Sequence, residues 1–518
     1  MVSMETMTQV SQPTDRHAQR SAFWLQQRWM VILLGCIALA GVLLVLINTR
    51  WGAYLSDDSY YYIYPARDAA AGMGFNPSYI FAPLLPLILT GFNLLGVDAL
   101  VTVRWLNAVL FGINLLLTGH LIWLICRRPA FVVLGTALVL LADVVVEAHG
   151  WAMSEALSFT FMLLSMNVAV LYVEKQRPAY LWVASVCAAL TVLTRYAAIP
   201  LIAAVALMLL FYAPVQKPQK RLGNAVLFGA VSLLPIALYW LRNQFTSGHP
   251  VRYERFLSVP LDRGQIVWFF YHWFSLFVPG RLLRDREIAV GILMIVAGSA
   301  LLVGLGWFYR RSLAQASTPA IRAGVFLCAA FLALNLLMLY LARGLTELDV
   351  FNPRYLVPML IVFLAMVTAL AGHLWALTGK GIRLGVAAFF VIFLVYYGYR
   401  TFDFSRQMVH NGLGYTNAGW HNSETVEYLR QNPQITNMIS TGEMGIYFWT
   451  GRMPLSLATY PESSLLQTYL CENNASLLLM DQMPAEIYGI SHEEAVRELR
   501  LVRRFNDGEL YQCSQSSQ

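Results

Sequence analysis

The sequence predicts a mainly α-helical, polytopic membrane protein with a small α/β domain at its C-terminal end. Of its 518 residues, 58% are hydrophobic and only 13% are charged, about half the charged fraction of an average soluble protein. Long apolar runs recur through residues 30–400, and polar and charged residues return from about residue 401. We therefore divide the chain into a cytoplasmic tail (1–29), a transmembrane domain (30–400) and a C-terminal domain (401–518).

A membrane span needs about 20 apolar residues, because each helical residue rises about 1.5 Å and the hydrocarbon core is about 30 Å thick. Only Arg195 separates the fifth candidate stretch from the sixth. The sequence predicts about 11 transmembrane helices, at about 30–49, 101–126, 129–146, 155–173, 179–195, 196–214, 222–241, 288–309, 323–342, 355–378 and 384–400.

The charges of the loops favour one orientation of these spans. With the N-terminus in the cytoplasm, five cytoplasmic loops hold every lysine of the chain and an excess of arginines, which is the positive-inside pattern. Eleven spans then place the C-terminal domain outside the cytoplasm. We expect a multi-pass protein of the cell membrane, of the bacterial inner-membrane kind. The net charge of +7 is explained by these loops, so no nucleic-acid partner is expected.

Two external segments contain apolar stretches that are too short or too aromatic for a span. The first external loop, 50–100, contains Phe81 to Leu95, and the segment 242–287 contains the Trp-, Tyr- and Phe-rich stretch Gln265 to Pro279. Aromatic residues concentrate at the membrane interface. We expect both stretches to lie at the membrane surface.

The C-terminal domain carries its own pattern of helix and strand signals. His421 to Asn432 predicts an amphipathic helix capped by Ser423, and strands are predicted near 435–440, 476–480 and 500–512. Cys471 and Cys513 both lie in this domain, and the sequence leaves open whether they form a disulfide or are free thiols.

The first candidate site is a pair of acids, Asp57 and Asp58, in the stretch "SDDSYYYIYPARDAAAGMGF" that follows the first span. One interpretation is that an aspartate caps a helix from Ser59 to Ala71, ended by Gly72 and Gly74. The other is that a carboxylate desolvated at the bilayer edge acts as a general base. We favour the second, because a cap requires one acid and not two.

The second candidate site is Glu155, in the external turn "EAHGWAMSEALSF" between the third and fourth spans. Ionisable residues at membrane depth usually mark a pathway or a site. Asp143, Glu147 and His149 lie nearby as candidates for binding substrate or a divalent metal, although their spacing is not diagnostic. The alternative is structural: Glu155 caps the fourth span and Asp143 pairs with an arginine.

Four arginines lie at the external ends of predicted helices. A single arginine there is ordinarily an interface anchor. Four on one side of the membrane indicate an anionic substrate, because the guanidinium fork matches phosphate oxygens. The candidates for binding a donor phosphate are Arg67, Arg195, Arg242 and Arg354.

Four short motifs resemble those of GT-C glycosyltransferases, the polytopic membrane enzymes that use polyprenyl-phosphate sugars. The family includes protein O-mannosyltransferases and the aminoarabinose transferase of lipid A. The motifs are the acidic first loop with the following "FAPLLPLIL", then "MSEALSF", "LTRYAAIPL" and "NPRYLVPML". The resemblance covers the layout of about residues 30–400.

The resemblance implies a GT-C fold and a role for each matching residue. Asp57 would be the general base with Asp58 beside it, Glu155 would assist acceptor binding or a metal, and Arg354 would hold the lipid phosphate. Two features depart from the family: Pro65 is expected to interrupt the loop helix, and the acidic pair is Asp-Asp where many relatives have Asp-Glu.

The activity implied is transfer of a sugar from a polyprenyl-phosphate donor to a hydroxyl- or amine-bearing lipid, glycan or protein acceptor at the outer face of the membrane. One base opposite the leaving group implies inversion at the anomeric carbon. The resemblance implies no definite cofactor, and it leaves open whether a divalent metal cation takes part. The alternative is a polytopic transporter or a flippase for lipid-linked sugars, which would commonly show two related halves; the sequence has no such repeat.

Overall fold

The computed structural model describes residues 14–213, 217–250, 263–279, 318–345, 353–460 and 462–514, with a few isolated positions between 291 and 306. The chain forms two compact units that each combine distant segments. The first comprises Met1–Leu44, Ala108–His149 and Ser154–Phe402, and the second comprises Val45–Asn107, Gly150–Met153 and Asp403–Gln518. The first external loop and the C-terminal region thus fold into the same unit. The domain boundaries drawn from the sequence stay a prediction.

Long apolar helices dominate the chain up to residue 411. A short 3₁₀ turn, Tyr196–Ala198, precedes the ninth helix. The described helices are α1 (Thr14–Asn48), α2 (Asp57–Ala70), α3 (Leu84–Leu94), α4 (Ala99–Cys126), α5 (Pro129–Leu140), α6 (Asp143–Gly150), α7 (Glu155–Lys175), α8 (Pro178–Thr194), α9 (Ile199–Tyr212), α10 (Pro218–Ser247), α11 (Arg263–Ser275), α12 (Pro319–Leu345), α13 (Pro353–Leu377) and α14 (Lys380–Asn411).

Seven of these described helices contain a stretch long and apolar enough to cross a membrane, and the bent pair α5–α6 would make an eighth span. The shorter apolar helices α8 and Tyr196–Tyr212 match the fifth and sixth predicted spans. Ten of the eleven predicted stretches are therefore helical, and the remaining one, 288–309, lies outside the described residues apart from isolated positions. The expected mainly α-helical membrane fold is confirmed.

The break between α5 and α6 has a specific stabilising partner. The two helices meet at 59°, and a bend of this size leaves carbonyls near Leu141 without their helical donors. The Thr401 hydroxyl of α14 donates to the Leu141 carbonyl at 2.6 Å. Next to it, Arg400 donates from Nε and Nη2 to Asp143 Oδ2 at 3.0 and 2.8 Å. Helix α14 thus fixes the bend.

In the second unit, α2 begins at Asp57 with Ser56 as its N-cap, whose backbone N–H donates to Ser59 Oγ at 3.1 Å. The alternative in which an aspartate caps the helix is therefore wrong. Pro65 lies inside α2 and does not interrupt it. Its buried ring removes one backbone donor while the helix continues to Ala70.

The C-terminal region contains a five-stranded mixed sheet. Its strands and helices are α15 (Ala418–His421), α16 (Glu424–Gln431), β1 (Met438–Ser440), α17 (Glu443–Thr450), β2 (Leu455–Ser456), α18 (Ser463–Glu472), β3 (Ser476–Met480), α19 (His492–Ala495), β4 (Leu499–Arg504) and β5 (Gly508–Cys513). The strand order is β2-β1-β3-β5-β4, in which β1 is parallel to both neighbours and β5 is antiparallel to both of its own.

Most of the sequence-based elements of this region are observed. Ser423 caps α16 by accepting from the Val426 N–H. The stretch predicted as one strand near 500–512 is a hairpin, β4 and β5, because the segment around Asp507 turns the chain. Strand β2 was not predicted, since it has only two residues. Cys471 and Cys513 form a disulfide that joins the end of α18 to β5.

Candidate active site

The backbone that leads into Asp57 is held on both sides by other segments of the second unit. Tyr54 forms a parallel bridge with Trp151, and Leu55 forms one with Gly414. The Leu55 carbonyl also accepts from the Tyr415 N–H at 2.9 Å. Three chain segments far apart in sequence therefore meet two residues before Asp57, so the start of α2 is fixed by tertiary contacts.

Asp57 is the first residue of α2 and its side chain is exposed, whereas Asp58 is half-buried. The positive end of the helix dipole stabilises carboxylates at this position. The Tyr415 hydroxyl donates to Asp57 Oδ1 at 2.5 Å. The protein chain leaves the Asp57 side chain exposed. The contact that the structure gives this carboxylate is the hydrogen bond from Tyr415.

Tyr415 is buried in an aromatic setting. Its ring meets those of Trp420 and Phe448 at centroid distances of 5.4 and 5.9 Å, and its carbonyl accepts from Trp449 Nε1 at 2.8 Å. Burial, followed by the hydrogen bond to Asp57, raises the pKa of Tyr415. The phenol therefore stays protonated at neutral pH and acts as a donor.

A second acid lies close to this pair. The Tyr488 hydroxyl accepts from the Gly442 N–H at 2.9 Å and lies 3.4 Å from Glu443 Oε2. Burial, together with the negative charges of Glu443 and Asp57, raises the pKa of Tyr488 to about 12. Two carboxylates and two neutral phenols thus share one region of the second unit.

In the first unit, Glu155 begins α7, with Ser154 as the N-cap. Its side chain is 2% exposed, and its Oε1 lies 2.7 Å from Arg195 Nη1 and 3.4 Å from Arg354 Nε. A buried carboxylate is stable only when it is paired. The structure therefore brings together three of the predicted site residues, with one net positive charge among them.

These three residues lie at a cavity whose walls are mostly apolar. The empty volume is about 510 Å³, including space open to the surroundings. Asn335, which is 5% exposed, also lines the cavity. The apolar walls are formed by Phe159, Met162, Ala197, Ala198, Leu201, Phe331, Leu339 and Pro358.

His149 has structural partners on both ring nitrogens. Nδ1 lies 2.7 Å from the Val145 carbonyl, and Nε2 lies 3.0 Å from Asn114 Nδ2. Asn114 Nδ2 also donates to the Ala156 carbonyl at 3.0 Å. This network joins α4, α6 and the first turn of α7, so His149 helps to hold the backbone beside Glu155.

The other predicted substrate or metal residues do not gather around His149. Asp143 pairs with Arg400, as the structural alternative predicts, and Glu147 is half-buried. Within the described part of the chain, no group of three or more His, Cys, Asp or Glu side chains is placed to hold a metal ion.

The two other predicted phosphate-binding arginines have partners of their own. Arg67, in the second unit, donates from Nε to Asp98 Oδ2 at 3.2 Å. Arg242, in the first unit, lies over the Tyr239 ring and donates to Asn243 Oδ1 at 3.2 Å. Neither lines the cavity of Glu155.

Sequence reasoning missed Tyr415 and Asn335. Tyr415 is 358 residues from Asp57, and its segment "NGLGYTN" carries glycines that indicate only a turn. Asn335 is a single amide within the apolar span α12, and this was the one available signal, because an unexplained polar residue in a span is usually functional.

No model of a known protein family matches the chain, and no curated protein matches it in sequence. Solved structures are similar in fold. The oligosaccharyltransferase of Archaeoglobus fulgidus, crystallised with Zn and sulfate, is 12% identical with a TM-score of 0.57, over 90% of this chain and 71% of that one. The same enzyme tethered to an acceptor peptide with the NVT sequon gives a TM-score of 0.52 at 12% identity, over 95% and 75% of the two chains.

The mycobacterial arabinofuranosyltransferase AftD is 14% identical with a TM-score of 0.50. The match covers 94% of this chain but only 40% of that one. Both neighbours are GT-C glycosyltransferases. The chain therefore has the GT-C fold, and the resemblance seen in the sequence motifs is confirmed at the level of fold.

Proposed function

We propose that this protein is a membrane glycosyltransferase that moves a sugar from a polyprenyl-phosphate donor to an acceptor hydroxyl or amine. The observation that carries the proposal is the cavity in the first unit. Its lining is mostly apolar and also includes Arg195 and Arg354, which pair with the buried Glu155. Such a site suits an anionic head on an apolar chain. The GT-C fold supports the same conclusion.

The charge of the cavity matches the donor. Two arginines and one glutamate leave one positive charge, and a sugar joined to a polyprenyl phosphate is a phosphodiester with one negative charge. When the glycosidic bond breaks, the phosphate becomes a monoester and gains charge. Arginines that already hold the phosphate would stabilise this developing charge in an apolar, water-poor site.

Asp57 is proposed as the general base, with Asp58 beside it. The acceptor O–H or N–H gives its proton to the Asp57 carboxylate, and the acceptor atom forms a bond to the anomeric carbon. The bond between that carbon and the phosphate oxygen breaks, and its electron pair leaves with the lipid phosphate. A single displacement of this kind inverts the anomeric centre.

No step is assigned to a metal. The oligosaccharyltransferase neighbour was crystallised with Zn, and adjacent carboxylates can bind a divalent cation. However, Asp57 and Asp58 supply two carboxylates, and in the described residues no third His, Cys, Asp or Glu completes a set of ligands with them. The proposed chemistry proceeds through the protein's own side chains.

The proposed location is the cell membrane of a bacterium, with the C-terminal region outside the cytoplasm. The disulfide between Cys471 and Cys513 supports this placement, because structural disulfides persist in oxidising compartments. The distribution of lysine and arginine over the predicted loops supports it independently.

The function is tested by mass spectrometry of envelope glycolipids, glycans and glycoproteins. Cells that lack the protein are complemented with the wild type or with Asp57→Asn, and membrane levels of both proteins are matched. We expect one sugar modification to be absent without the protein, restored by the wild type and still absent with Asp57→Asn. Equal restoration by Asp57→Asn would contradict the assigned base. An unchanged set of modifications with altered distribution of a lipid-linked sugar would favour the flippase.

A further inference from the structure

The C-terminal region of the chain touches the proposed base directly. Tyr415 lies just beyond the last described span, and its hydroxyl donates to Asp57 Oδ1 at 2.5 Å. In the described part of the chain, the structure gives the Asp57 side chain no second hydrogen bond, so Oδ2 is open to an incoming acceptor. The contact therefore fixes one oxygen and leaves the other available.

The position of Tyr415 is set by backbone geometry. Gly414 has a φ of +64°, which is the left-handed region that disfavours other residues. A Cβ on Gly414 would lie 1.9 Å from the Leu55 carbonyl oxygen. The close approach of Gly414 to Leu55 thus requires glycine, and it places Tyr415 against the first residue of α2.

Neighbouring side chains hold the backbone at Tyr415 in place. Thr416 Oγ1 donates to the Ala53 carbonyl at 2.9 Å, and Trp449 Nε1 holds the Tyr415 carbonyl at 2.8 Å. The ring is buried while Asp57 is exposed. A rigid donor of this kind restricts the rotamer of the exposed carboxylate at little cost in entropy, because the tyrosine is already ordered.

We propose that Tyr415 is a positioning residue for Asp57, so that the C-terminal region completes the catalytic base by orienting its carboxylate. This inference rests on the proposed role of Asp57. The phenol donates to Oδ1 and so restricts the rotation of the carboxylate, which leaves Oδ2 to receive the acceptor proton. Glu443 and Tyr488 from the C-terminal region also act on Tyr415, and Asp58 follows Asp57 in the first turn of α2.

The test compares Tyr415→Phe with Tyr511→Phe in the full-length protein in membranes. Tyr511 is a matched control, because its hydroxyl donates to the Glu509 carboxylate at 2.6 Å in the same unit, away from α2. A hydrogen bond to a charged group contributes about 1.5–3 kcal/mol, equivalent to about 10- to 100-fold. We expect kcat of Tyr415→Phe to fall by roughly 10- to 100-fold, with little change in KM for the donor.

The split between kcat and KM separates positioning from loss of structure. Without the phenol the Asp57 carboxylate loses its fixed orientation, so the kcat of Tyr415→Phe should fall while KM for the donor stays near the wild-type value. Tyr511→Phe should keep the wild-type kcat and KM. Unfolding temperatures of both variants are measured, and a loss of stability alone would lower the amount of active protein without changing the kcat of the folded fraction.

The outcomes distinguish this inference from the proposed function. If Asp57→Asn is inactive but Tyr415→Phe keeps the wild-type kcat, the positioning role is wrong and the base stands. If Asp57→Asn is active, the base assignment is wrong, and Tyr415 has no catalytic partner to orient.

Discussion

Glu155 shows at the scale of one residue how this protein keeps a charge inside a membrane domain. Its carboxylate is 2% exposed and lies within 3.4 Å of two guanidinium groups. Removing one partner from a buried pair leaves charge uncompensated and is strongly destabilising. The same arginines, however, must also be available to the proposed phosphate. The side chains of Arg195 and Arg354 are 21% and 20% exposed. They can therefore pair with Glu155 and still be reached by a phosphate.

Arg354→Leu should therefore lower both stability and donor binding. We expect the free energy of unfolding to fall by up to about 3 kcal/mol, and KM for the donor to rise by at least about tenfold. Adding Glu155→Gln to this variant should recover part of the stability, because the buried acid is then neutral, but not the donor affinity.

The control for this prediction is Arg383→Leu, at an exposed arginine. Denaturant unfolding in detergent and donor titrations provide the readouts, and equal recovery of both quantities would contradict a separate binding role.

Asn335 is 5% exposed and lines the cavity of Glu155. Its amide is a polar group among mostly apolar walls, so it can hydrogen-bond a ligand that enters the cavity. Asn335→Leu should raise KM for the donor with little change in stability. A variant that binds the donor as tightly as the wild type would show that the amide has no part in binding.

At the scale of elements, the bend between α5 and α6 depends on α14. Thr401 donates to the Leu141 carbonyl at 2.6 Å, and the helix break leaves that carbonyl in need of a donor. Most of the helices could be predicted from apolar length alone, whereas this bend could not. The partners that stabilise it, Arg400 and Thr401, are about 260 residues away in sequence from Asp143 and Leu141.

Thr401→Val keeps the side-chain shape and removes the hydroxyl. Because a buried carbonyl then lacks its donor, the free energy of unfolding should fall by about 1–3 kcal/mol. Thr191→Val is the matched control: the Thr191 hydroxyl donates to the Cys187 carbonyl at 2.8 Å within α8, where that carbonyl also has a helical donor, so its loss should have little effect. Thermal unfolding of the two variants in detergent compares them, and equal shifts would contradict a special role for the bend.

The same distinction between local and distant signals applies to the candidate site. Local patterns identified Asp57, Glu155 and the arginines, since charges beside apolar runs are visible in the sequence. They did not reveal that Arg195 and Arg354 converge on Glu155 while Arg67 and Arg242 do not, because convergence depends on helix packing. Tyr415 was invisible for the same reason, because no local feature links it to Asp57.

At the scale of the whole molecule, the second unit is built from the first external loop, a four-residue link and the C-terminal region. Its buried tyrosines make its stability sensitive to alkali. Burial raises the pKa of Tyr415, and it raises the pKa of Tyr488 and Tyr447 to about 12. An ordinary tyrosine ionises near pH 10, so the folded unit favours the neutral phenols.

The sign of the pH dependence follows from these raised values. Below about pH 10 the phenols are neutral in both the folded and the unfolded chain, and their contribution to stability is fully present. Between about pH 10 and 12 the unfolded chain loses protons that the folded unit retains, so stability falls. Unfolding midpoints measured on either side of about pH 10 should drop on the alkaline side, and Tyr488→Phe should reduce that drop. A midpoint that is constant across this window would contradict the assignment.

Asp57 is proposed as the base in a sugar transfer from a lipid-linked donor, and an assay of both reaction products tests this role. Purified wild-type protein and Asp57→Asn are each incubated with a polyprenyl-phosphate sugar and membrane-extracted acceptors, and released lipid phosphate and glycosylated product are quantified together. We expect the wild type to form both in equal amounts and Asp57→Asn to form neither while it still binds the donor. Product formation by Asp57→Asn at the wild-type rate would show that Asp57 is not the base.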